Sequence, residues 1–124
     1  MKLVSWFVIK KITYISLLIV VLLSAINPGY SQTDAQKESE IVNLIISFQN
    51  NRFSDKTKAE TDIKKAISIA EKTKRKNNLV STKILLGELY DDYSSPNKAL
   101  TQYTEAKNIA QEINDMAGLA SCEY

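Results

Sequence analysis

Lys58-Ala-Glu-Thr-Asp-Ile-Lys-Lys-Ala-Ile-Ser-Ile-Ala, residues 58–70, returns forty positions later as Lys98-Ala-Leu-Thr-Gln-Tyr-Thr-Glu-Ala-Lys-Asn-Ile-Ala, residues 98–110. Lys58, Ala59, Thr61, Ala66, Ile69 and Ala70 recur unchanged, and Leu79 and Ser81 come back as Leu119 and Ser121. Ile63 is replaced by Tyr103, still a large side chain with an apolar body. A fixed period of this size implies stacked supersecondary units, each unable to bury its apolar flank without a neighbour. Such a chain is expected to be a binding surface rather than a catalyst.

The repeated stretch is helical in pattern. Ala59, Ile63, Ala66 and Ala70 fall at intervals of four, three and four, one stripe of a 3.6-residue period. Asp55 is the expected N-cap of that helix, which is read as running to about Arg75. Forty residues on, Ser95 takes the cap position and Pro96 the first turn, where a missing N–H does no harm. Ala99, Tyr103, Ala106, Ala110 and Ile113 form the apolar face of the second copy. Working outward, helices are expected over about Glu38–Asn51 and Asn78–Tyr93, and a last one from Ala117 after a turn at Asn114-Asp115. No run alternates with a period of two, so the fold class is all-α. Linkers of a few residues make the helices antiparallel hairpins.

Residues 1–31 read differently. Lys2, Lys10 and Lys11 precede the apolar run Ile12 to Ile26, and Asn27-Pro28-Gly29 breaks it. This is the layout of a secretory signal peptide, with cleavage expected before Gln32 and Ala25 as a second site. The alternative is a retained N-terminal anchor. Against it, about fifteen apolar residues fall short of the roughly twenty that span a bilayer. Residues 32–39 are expected to be a flexible lead-in, and 40–124 the repeat region, divided as about 40–79, 80–119 and the start of a third unit at 120–124.

The whole chain has 16 basic and 14 acidic residues. Without the three lysines of the export segment the balance is 13 to 14, which gives nucleic-acid binding no support. Histidine is absent, which removes the commonest general base. Cys122 is the single cysteine, so no intramolecular disulfide can form, and no base accompanies it as a nucleophile. Glu88, Asp91 and Asp92 are oxygen ligands in principle, but they lack calcium-loop spacing and read as a solvated face. The run Lys72-Thr-Lys-Arg-Lys76 reads as cations complementing a helix C-terminus. No metal or cofactor site is therefore expected, and the chain is not expected to be an enzyme.

Leu86-Gly87, Tyr90, Ala99, Tyr103 and Ala106 have the order and spacing of the tetratricopeptide-repeat signature, which residues 40–124 resemble. Lys83 stands where that family often has tryptophan, and Gln111 where it has proline; in the first unit Ser47 replaces the glycine and Asn50 the tyrosine. The forty-residue period is similar to long-period repeats of bacterial signalling proteins, including extracytoplasmic regions of some sensor histidine kinases. The resemblance implies a short α-solenoid whose first helices line a concave groove for extended peptides or partner helices. Carried over by position, the groove residues are Ser81, Ile84, Glu88, Asp91 and Asp92. An acidic lining of that kind suits a basic or neutral partner. The expected function is protein–protein contact by an exported protein, periplasmic or secreted in a Gram-negative bacterium, touching membrane only through its N-terminal segment. The second expectation is a truncated sensing region of a signalling receptor, because the third unit holds only its opening residues.

Overall fold

The computed structural model describes residue 8, residues 10–19 and residues 32–123. It divides into two units, 1–35 and 36–124. In the first, residues 10–19 are helical and exposed. The expected break at 27–29 and the residues up to the expected cleavage site before Gln32 lie outside the described residues. Among those described, no helix is long and apolar enough to cross a membrane.

The second unit is all-helical. Its helices are α1 (Gln32–Asn51, beginning in the first unit's residues), α2 (Lys56–Lys72), α3 (Lys76–Asp92), α4 (Pro96–Glu112) and α5 (Met116–Ser121). Among the described residues there is no strand. Starts and ends of α2 and α4 differ by forty, and so do the starts of α3 and α5. The linkers reveal a finer period. Residues 73–75, 93–95 and 113–115 each place a left-handed residue at the centre: Lys74 (φ 54°), Ser94 (φ 56°) and Asn114 (φ 55°). In each, the amide two residues past the cap reaches back across the turn: Arg75 to Ala70 O (3.0 Å), Ser95 to Tyr90 O (2.8 Å), Asp115 to Ala110 O (2.8 Å). The left-handed residue bonds to Glu71, Asp91 or Gln111 in turn. This is a Schellman closure, repeated every twenty residues, that satisfies carbonyls at the helix end.

These closures correct several expected boundaries. α2 ends at Lys72 rather than Arg75, so the basic run 72–76 places Lys72 in the last turn of the helix, as expected, and carries its other members across the turn that follows. Lys74 is the left-handed residue, Arg75 bonds to Glu38 (3.0 Å) and Lys76 to Glu112. α1 starts at Gln32, so the stretch read as a flexible lead-in is helical. Asp34 in its first turn complements the helix dipole, and Lys37 pairs with Glu40 at 3.4 Å along the helix. The two expected caps are met unevenly. Asp55 accepts from the Lys58 amide at 3.0 Å, and Asp115, expected only as a turn residue, caps α5 by accepting from Gly118 at 2.9 Å. Ser95 occupies the cap position without a side-chain capping bond.

Burial follows the repeated stripe. Ala59, Ile63, Ala66 and Ala70 are fully covered, as are Ala106 and Ala110, with Ala99 at 1%. One core cluster joins Ile41 and Phe48 of α1 to that stripe, to Leu86, Leu89 and Tyr90 of α3, and to Ala99 and Tyr103 of α4. A smaller one holds Val80, Ala106, Ala110 and Cys122. Lys83 is buried; its ammonium meets Glu105 at 2.6 Å.

Candidate interaction surface

The six signature residues all lie inside. Leu86, Tyr90 and Tyr103 are nearly covered, Ala99 and Ala106 fully so, and Gly87 is buried between them. Gly87 has a specific steric reason. A Cβ there would stand 2.7 Å from Tyr103 Cε1 and 2.9 Å from Cζ, so the ring comes closer to the helix backbone than a side chain at this position allows. In the first repeat the corresponding positions are Ser47 and Ile63, and Ser47 Oγ donates to Asp62 Oδ2 at 2.6 Å. The departure from glycine thus accompanies the departure from tyrosine.

Buried phenols are satisfied by carboxylates. Tyr103 Oη donates to Asp91 Oδ2 (3.0 Å), and Tyr90 Oη donates to Glu60 Oε1 (2.9 Å). Burial, reinforced by those acceptors, pushes both phenols above the ordinary tyrosine range. Lys64 bonds Glu60 at 2.6 Å and holds its carboxyl below the usual range.

The five groove residues separate into two groups. Ser81 is exposed, its hydroxyl returned to Asn77 O at 3.2 Å, and Ile84 is half-buried against both core clusters. Glu88, Asp91 and Asp92 lie together at the end of α3, where Arg52 meets Glu88 and Asp92 while Asp91 accepts from Tyr103. Arg52 Nε donates to Asp92 Oδ2 at 2.5 Å and an Nη to Glu88 Oε2 at 2.8 Å. The bond to Asp92, ahead of that to Glu88, pushes the guanidinium pKa up. Phe53 stacks on the same cation at 5.4 Å, and Tyr93 Oη donates to Arg52 O at 2.9 Å. The expected acidic lining therefore carries its own counter-ion, supplied by the preceding unit. Sequence reasoning missed Arg52. The one available signal was that it stands forty residues before Asp92 with the opposite charge. Among the described residues, no group of three or more His, Cys, Asp or Glu is arranged to hold a metal ion. Cys122 is buried, and burial pushes its thiol pKa up, away from the reactive thiolate.

The described residues also line two clefts. Lys37, Lys65 and Lys72 rim one of about 240 Å³ between α1 and α2, with Glu40 drawing on both Lys37 and Lys65. The other, about 260 Å³, lies at the start of α4. Compared with family models, curated proteins and solved structures, the chain finds no match.

Proposed function

We propose that this chain is an exported, non-catalytic repeat protein of the tetratricopeptide kind, its hairpins stacked as a short solenoid that receives a protein or peptide partner. The observation that carries the reading is that Gly87 and Tyr103, two positions of that signature, lie against each other. The twenty-residue recurrence of Lys74, Ser94 and Asn114 supports it, since identical closures give successive helices a constant geometry. Ser81, exposed on α3, and the Glu88–Arg52–Asp92 cluster at its far end offer a partner a polar track of mixed charge. Export rests on the basic and apolar patterning of residues 1–31.

Two measurements test the two halves. Expressed with its N-terminal segment in a Gram-negative host, the protein should be recovered from the periplasm beginning at Gln32; a cytoplasmic product beginning at Met1 refutes export. A photo-crosslinking residue at Ser81 should yield partner adducts that the same residue at Glu71, exposed on α2, does not. Equal labelling from both positions refutes the groove.

A further inference from the structure

The two hairpins carry opposite charge at equivalent positions, and the first leaves charge over. On α4, Glu105 and Glu112 stand two turns apart, and α3 answers both across the hairpin: Lys83 reaches Glu105 at 2.6 Å and Lys76 binds Glu112. Forty residues earlier the same positions on α2 hold Lys65 and Lys72, a reversal of sign. The answering positions on α1 are Asn43 and Gln36, which carry no charge. Lys65 instead shares Glu40 with Lys37, at 3.3 and 3.4 Å. Glu38 of α1 is taken by Arg75 at 3.0 Å. Lys72 makes no hydrogen bond or ion pair among the described residues.

Lys37, Lys65 and Lys72 line the cleft of about 240 Å³ between α1 and α2 with a single carboxylate, Glu40, a surplus of two positive charges. Two turns of α2 set Lys65 and Lys72 about 10 Å apart along its axis, with Ser68 between them. Ser68 also lines the cleft; it is half-buried, and its hydroxyl has no hydrogen-bond partner among the described residues. The hydroxyls of Thr61, Thr82, Thr101 and Thr104, by contrast, return to the carbonyl four residues back. At the end of α2 the Thr73 hydroxyl does the same to Ile69 O, and the Arg75 amide takes Ala70 O, so the carbonyls of that turn are occupied.

We propose that this cleft binds a phosphomonoester group. Such a group carries a charge of about −1.5 to −2 at neutral pH and three strong acceptor oxygens, which match the surplus and the free donors. Lys72 and the Ser68 hydroxyl donate to it directly, while Lys37 and Lys65 act on it as point charges. The volume falls below the roughly 300–1,000 Å³ of a pocket for a drug-sized ligand, so the ester is small. The second hairpin bears glutamates at the lysine positions, so one site per chain is expected.

The full chain is titrated with inorganic phosphate and with glycerol phosphate by calorimetry, chloride holding the ionic strength constant. Saturable one-to-one binding is expected. Lys72→Gln should weaken it about tenfold, the loss of one charge-assisted bond, and Ser68→Ala several-fold. Glu40→Gln should strengthen it several-fold, because it releases Lys37 and Lys65 and removes the cleft's negative charge; a variant that merely disturbed the fold would gain no affinity. Lys107→Gln, at an exposed lysine of α4, should change nothing. Displacement of glycerol phosphate by phosphatidic-acid but not phosphatidylcholine vesicles would support the site with a lipid headgroup as its source, and no displacement by either would support it with a soluble ester. Absence of saturable binding, equal affinity for acetate, or affinities indifferent to Lys72→Gln and Glu40→Gln would each overturn the proposal.

Discussion

At the scale of single residues, the chain is governed by fit between small and large partners. Gly87 and Tyr103 form one such pair, Ser47 and Ile63 its counterpart. Gly87→Ala drives a methyl group into the Tyr103 ring at 2.7 Å and should destabilise the fold by roughly 1–3 kcal/mol. Transplanting the first unit's solution, Gly87→Ser with Tyr103→Ile, should be less destabilising than the sum of the two changes, as denaturant melts of the double-mutant cycle will show. Strict additivity would mean that the two side chains do not share space. The phenols predict a pH response as well. Tyr90 and Tyr103 are raised in the fold above their ordinary value of 10.0. The unfolded chain therefore loses these protons first, so the stability they confer is complete below about pH 10 and is lost as pH rises further. Alkaline titration should show part of the tyrosinate absorbance appearing together with loss of helix signal, and Tyr103→Phe should move that loss to higher pH.

At the scale of elements, the twenty-residue rhythm resides in the linkers more than in the helices. A non-glycine residue in the left-handed region costs about 1–2 kcal/mol, and the chain accepts this at Lys74, Ser94 and Asn114. Ser94→Gly should therefore stabilise by about 1 kcal/mol after the entropy of glycine is subtracted, raising Tm by several degrees. Asn114→Gly should gain less, because asparagine tolerates this conformation. A lowered Tm for Ser94→Gly would mean that the serine side chain contributes more than its backbone strain removes. The same linkers show where the sequence was legible. The stripe Ala59-Ile63-Ala66-Ala70 announced its helix through periodicity, and Asp55 its start through capping chemistry. The helix end was not legible, because its signal is a backbone closure and none of the three left-handed positions is glycine. Lys74 sat inside a basic run whose ordinary meaning, cations at a helix terminus, extended α2 by three residues.

At the scale of the molecule, the candidate site was half legible. Glu88, Asp91 and Asp92 were visible through their spacing on α3, but their counter-ion was not, because Arg52 reaches them across a tertiary contact from the preceding unit. That contact bears on whether the helices form an open stack or a closed bundle. In an open stack each unit answers only to its neighbours, so perturbations at the two ends are independent. Arg52→Ala acts at the first end. It leaves Glu88 and Asp92 side by side without their guanidinium and should cost roughly 1–2 kcal/mol, toward the low end for a charged bond because both carboxylates are partly solvated. High salt should shrink that loss. Gly118→Ala acts at the last unit, where a Cβ would stand 2.6 Å from Asp115 Oδ2 and 2.8 Å from Val80 Cγ1. The residues touched by the two substitutions do not overlap. On the proposed solenoid, the double variant should lose the sum of the two single losses to within about 0.5 kcal/mol in urea melts. A coupling well beyond that would mean that the ends communicate through a common core, and the helices would then be a closed bundle with no continuous groove along α3 to offer a partner.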